Sequence, residues 1–160
     1  MTDSILGELT DIYNGLYAPR RLWQGKIQVR IFSEPLLVQF DGADDVGMTP
    51  LHRQTLEDFT QHQERYKQLA LEALLEYYQT IILPLWREND FFGAPELAPI
   101  VKDAREFEKL LSYPRLFISF RDSWGLEFEC TWDVEHGAGV LFRNGQVLRV
   151  GSAEVVHADA

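Results

Sequence analysis

Three side chains near the C-terminal end carry the types that acid–base chemistry uses. They are Asp133, Glu135 and His136, in the run Trp132-Asp133-Val134-Glu135-His136-Gly137-Ala138-Gly139-Val140. A carboxylate can orient an imidazole, and an imidazole moves protons near neutral pH, so the trio would suit a small hydrolase working by general acid–base catalysis. The ordinary reading of the same residues is a hairpin loop, Asp133 to Gly139, whose carboxylates and imidazole bond nearby backbone groups as turn formers do. Gly137 and Gly139 suggest backbone at positive φ and a close approach of chain to chain, which would make the loop a structural latch.

The rest of the chain offers little other chemistry. Four histidines, His52, His62, His136 and His157, include no His-Glu-x-x-His pair, and His52 and His62 are too far apart on one expected helix to share a metal. There is no phosphate-binding glycine loop, no Gly-x-Ser-x-Gly and no Cys-x-x-Cys. Asp41, Asp44 and Asp45 lack the spacing and the terminal Glu of a calcium loop, so Asp41 to Asp45 reads as a solvated turn. The single cysteine, Cys130, falls on the apolar face of an expected strand and reads as a small core residue, not a nucleophile. No cofactor and no metal is expected.

The stretch resembles the C-terminal signature of an uncharacterised bacterial domain family, Trp-Asp-x-Glu-His-Gly-x-Gly-Val. Trp132, Asp133, Glu135, His136, Gly137, Gly139 and Val140 match it, and the Asn144-Gly145 turn and Gly151 that follow fit the same pattern. Similar domains recur near bacterial polymorphic-toxin genes. The resemblance implies an immunity protein that binds and neutralises a cognate toxin, and it brings no catalytic residues with it.

Strands must position these residues. Leu126, Phe128, Cys130 and Trp132 alternate with Glu127, Glu129, Thr131 and Asp133, the period of a strand with one buried and one wet face. Val140–Arg143 and Gln146–Val150 flank Asn144-Gly145, the strongest short hairpin signal, which predicts Phe142 opposite Val147 and Leu141 opposite Leu148. Upstream, Ile27, Val29 and Ile31 alternate with Lys26, Gln28 and Arg30. After a Ser33-Glu34-Pro35 turn, Leu36, Val38 and Phe40 alternate with Leu37, Gln39 and Asp41, completing an antiparallel hairpin. The family resemblance suggests a short strand near Ile5–Thr10, and Pro19-Arg20-Arg21 reads as a turn.

Between these strand regions lie helices. Thr49-Pro50 starts a long one, since Thr caps well and Pro suits the first helical position. Its apolar stripe runs from Leu56 through Tyr66, Leu74 and Tyr78 to Ile81; the polar run Gln61–Gln68 marks a projection or break, and Pro84 ends or kinks it. Residues 84–99 form a packed connection rich in proline and aromatics. Ile100, Ala104, Phe107, Leu110 and Leu111 predict a shorter second helix that Pro114 terminates, followed by a strand over Leu116–Arg121. The tail after Gly151 is expected to fray.

A chain of 160 residues, 46% hydrophobic and 12% aromatic, is long and apolar enough for one globular domain spanning 1–160. The expected fold is α+β: an antiparallel sheet from N- and C-terminal meanders, packed against one long helix and a shorter second helix. The net charge of −10 disfavours nucleic acid and anionic membranes and suits a basic protein partner. No run is long enough for a membrane span and the N-terminus lacks the regions of a signal peptide, so a cytoplasmic location is expected. Glu127, Glu129 and Asp133 fall on one face of one strand, with Glu135 just beyond. These four are the expected partner-binding residues. The leading function is therefore an interaction protein of the immunity type. The runner-up is a hydrolase using Asp133, Glu135 and His136, and a structural accessory domain is the third reading.

Overall fold

The computed structural model describes residues 2–11, 21–42, 47–119 and 121–158. The strands β1 (Thr2–Asp3) and β2 (Gly7–Glu8) make a small antiparallel pair. One larger sheet takes β3 (Thr10–Asp11), β4 (Arg21–Ile27), β5 (Leu36–Gly42), β6 (Leu111–Ile118), β7 (Ser123–Cys130), β8 (Asp133–Arg143) and β9 (Gln146–Gly151) in sequence order. The architecture is α+β, as composition and pattern predict. The sheet is mixed, however, because β5 and β6 run parallel while the other neighbours are antiparallel. All the long helices lie between β5 and β6, and a connection of that length is what a parallel pair requires.

The helical layer contains α1 (Pro50–Gln61), α2 (Gln63–Tyr77), α3 (Leu83–Glu88) and the short α4 (Ala104–Glu108). Thr49 caps α1 as expected: its hydroxyl accepts from the N–H of His52, and His52 Nδ1 accepts from the N–H of Thr49 at 3.1 Å. The long helix breaks once, at His62, inside the polar run. Pro84 does not end it. A π turn over Tyr78–Ile82 precedes α3, and this wider turn accommodates a residue that lacks an N–H and crowds the preceding turn. No helix among the described residues is long and apolar enough to cross a membrane.

The core lies between the helices and one sheet face. Leu36, Val38, Phe40, Leu116, Ile118, Leu126, Val140 and Phe142 are fully buried there, against Leu56, Phe59, Tyr66, Leu74 and Tyr78. Trp124 and Phe142 are register partners and stack at 4.3 Å, with Tyr66 edge-on to Trp124 at 4.7 Å. The Asn144-Gly145 turn has positive φ at both residues and pairs Phe142 with Val147, as its type demands. A bulge between Leu141 and Phe142 then places Leu141 opposite Arg149, not Leu148.

Several boundaries differ from the sequence pattern for identifiable reasons. The strand expected over Lys26–Ile31 stops at Ile27. Beyond it, the Gln63 side chain accepts from the N–H groups of Arg30 (2.7 Å) and Ile31 (3.3 Å), and Lys67 donates to the Ile31 carbonyl at 2.8 Å. Helix side chains thus satisfy backbone that a strand partner would otherwise satisfy. The second helix covers only Ala104–Glu108, capped by Asp103, while Leu111 already belongs to β6. Pro114 lies inside β6, at an irregularity between Ser112 and Arg115 where the ladder is interrupted and no N–H is needed. The expected strand near Ile5–Thr10 is reduced to β2 and β3. The turns at Pro19-Arg20 and Ala43–Asp45 fall outside the described residues.

Candidate functional site

The expected loop from Asp133 to Gly139 is strand. The connection from β7 to β8 is instead Thr131-Trp132, held by the burial of Trp132 between Tyr78 (4.9 Å) and Phe107 (5.8 Å). Cys130 pairs with Asp133 and Phe128 with Ala138, so Glu129 alone stands opposite the four residues Val134, Glu135, His136 and Gly137. These form a large bulge at the end of the hairpin. Gly137 closes it at φ +66°, where a Cβ would lie 2.5 Å from the Phe128 carbonyl oxygen. Both the backbone angle and the space therefore call for glycine.

Within the bulge, Asp133 Oδ1 accepts from the His136 N–H at 3.0 Å, and His136 Nδ1 lies 3.0 and 3.1 Å from the two carboxylate oxygens. The structure thus brings Asp133 and His136 together, with the carboxylate orienting the imidazole as an acid–base pair requires. Glu135 is exposed beside them, and Val134 is 81% exposed. The site is an open strand end. A groove of about 320 Å³ alongside is lined by Glu129, Cys130, Thr131 and Val134, but not by Asp133, Glu135 or His136. Cys130 is buried and donates toward the Asp133 carbonyl, and burial pushes its thiol up to about 12, so it stays protonated as a core residue. Burial first, and then the Asp133 carboxylate, raises the neighbouring Tyr77 hydroxyl as well. Among the described residues no group of three or more His, Cys, Asp or Glu side chains is placed to hold a metal ion.

The four expected partner-binding carboxylates do not share one solvated face. Glu129 and Glu135 are exposed, Asp133 lies on β8, where His136 of the same strand engages it, and Glu127 is only 4% exposed. Arg115 Nε meets Glu127 Oε1 at 2.8 Å, and His157 Nε2 approaches Oε2 at 3.5 Å. What buries Glu127 is the segment expected to fray. A 3-10 turn over Ala153–His157 lies across the outer face of β7 and β8. A Cβ on Gly125 would collide with Val156, and Ala153 and Val155 press on Gly139, so side-chain-free positions form the trough that seats this turn. His157 adds an edge-on contact with Phe117 at 4.3 Å. Alternation alone had marked Glu127 as wet, and nothing local in the sequence shows that residues 153–157 return to cover it.

The sequence model of a domain of unknown function, DUF6985, matches residues 10–158. The chain belongs to this family. The DUF6985 match takes in the whole seven-stranded sheet, the helices and the C-terminal turn, and so extends far beyond the Trp132–Val140 stretch. No curated protein and no solved structure matches this DUF6985 chain.

Proposed function

We propose that this DUF6985 domain is a protein-interaction domain that binds a basic partner and neutralises it, in the manner of an immunity protein acting on a cognate bacterial toxin in the cytoplasm. The observation that carries the reading is the bulge at the end of β7 and β8. Val134 stands 81% exposed on backbone pinned by the Asp133–His136 contacts, with the exposed carboxylates of Glu129 and Glu135 beside it. An apolar side chain among fixed negative charges suits a surface that is apolar at its centre and basic around it. The net charge of −10 favours the same partner and disfavours nucleic acid. The toxin as partner rests on the resemblance of the Trp132–Val140 stretch to domains encoded near toxin genes.

Affinity capture of the full chain from its native host, with mass spectrometry of what co-purifies, tests this reading. A basic toxin-like protein that is inhibited by the purified chain is the expected result. Capture that yields no protein able to bind the purified chain directly would overturn it. The Asp133–His136 contact favours acid–base hydrolysis as a second reading. In that case His136→Ala would abolish turnover against a panel of hydrolase substrates and leave the fold intact.

A further inference from the structure

A second concave site lies away from the bulge, where the irregular segment after β4 faces the start of β6. This groove of about 500 Å³ is lined by Phe32, Glu34, Glu108, Leu111, Tyr113 and Pro114, among others. Its size is that of a small-ligand or side-chain pocket. Two features set it apart. Tyr113 is 62% exposed, and its φ of +50° lies in the left-handed region although it is neither glycine nor asparagine. A large aromatic held out to solvent on strained backbone is retained at a cost that packing does not recover. The second feature is chemical. The lining carries the carboxylates of Glu34 and Glu108 and contains no lysine or arginine.

The protein itself shows what this chemistry accepts. On the inner side of the same wall, Lys67 Nζ lies 5.3 Å from the centroid of the Phe32 ring, 2.5 Å from Glu108 Oε1 and 2.8 Å from the Ile31 carbonyl oxygen. A cation is thus already bound by an aromatic face, a carboxylate and a backbone carbonyl. The groove adds a second ring and a second carboxylate, those of Tyr113 and Glu34, both exposed. We propose that this groove receives an arginine side chain of the protein partner, its guanidinium lying against the Tyr113 ring and meeting the Glu34 carboxylate. The inference rests on the interaction reading above and adds a specific docking point to it.

The test needs no partner in hand. The full chain, labelled with nitrogen-15, is titrated with N-acetyl-arginine methylamide and, separately, with the isosteric uncharged citrulline derivative, and backbone amide shifts are followed. The expected result is saturable shifts confined to residues 31–34 and 111–115 with the arginine probe and none with citrulline. Affinity should fall at least fivefold in both Tyr113→Gly and Glu34→Gln. Tyr113→Gly should also melt a few degrees higher (~2–5 °C), because glycine relieves the left-handed strain while removing the ring. Glu34 is exposed, so Glu34→Gln leaves the fold intact and keeps the test decisive if the tyrosine variant misfolds. Equal shifts with citrulline, shifts spread over the acidic surface, or unchanged affinity in Glu34→Gln would overturn the proposal. A captured partner that binds both variants as tightly as the parent would defeat the groove and leave the interaction reading standing. Arginine binding here in a chain that captures no partner would do the reverse.

Discussion

Gly137 carries the constraint on which the bulge depends. Its left-handed backbone and the Phe128 carbonyl 2.5 Å from any added Cβ act together, so a β-branched residue is excluded twice. Gly137→Val should lower stability by about 2–4 kcal/mol, read as a fall in the urea midpoint, since strain and a backbone clash add. A variant with an unchanged midpoint and lost partner binding would mean that the glycine serves contact, not folding. Asp3 gives the second prediction at this scale. Burial alone would raise its carboxyl, but the N–H groups of Ile5 and Leu6 and the Arg53 guanidinium outweigh burial and hold it below its ordinary value of 3.8. A depressed folded value means stabilisation that is complete at neutral pH and is lost as pH falls below about 4, through the folded value. Asp3→Asn should therefore cost about 1–2 kcal/mol at pH 7 and progressively less as pH falls below about 4, by denaturation across that range. A cost that does not change with pH would show that the carboxylate charge is not what holds the β1–β2 turn to α1.

At the scale of elements, the C-terminal 3-10 turn is the least expected part of the fold. Val156 is 1% exposed and fills the space that Gly125 leaves open, while His157 and Arg115 both reach Glu127. The turn thus covers a stretch of the outer sheet face that would otherwise expose Phe117 and Leu141 and leave the Glu127 carboxylate with one partner fewer. Val156→Ala should destabilise the domain by about 2 kcal/mol through lost burial and the cavity it opens. The amides of Gly125 and Leu141 should lose hydrogen-exchange protection in the same variant. Protection that persists would show that the sheet holds without this cover. The helix break at His62 is the complementary case: Gln63, placed just after it, donates to Thr60 and accepts from Arg30 and Ile31, so one polar side chain joins the helix break to the segment that replaces the end of the expected strand.

For the molecule as a whole, charge is the property that reaches furthest. The balance of −10 gives a field that would draw a basic partner from several ångströms, and the exposed carboxylates nearest the bulge would focus it. Glu129→Lys with Glu135→Lys should slow association with the captured partner by about tenfold at low salt and flatten its salt dependence, with less effect on dissociation. An association rate equal to the parent's at every salt concentration would place the binding surface elsewhere. Glu127 is no part of this test, because reversing a buried charge beside Arg115 would first unfold the region.

Sequence alone determined what is local. Thr49-Pro50 marked a helix start because capping involves only a few neighbouring residues, and Asn144-Gly145 marked the hairpin because its turn needs two positive φ angles. Alternation through Leu126, Phe128 and Cys130 identified the inward face of β7 correctly. Tertiary structure decided what depends on distant segments. The parallel pairing of β5 with β6, the early end of β4 and the burial of Glu127 each arise from contact with chain far away in sequence. A period of two says that a side chain faces outward from its strand; whether water or another part of the chain waits there is settled only when the layers pack.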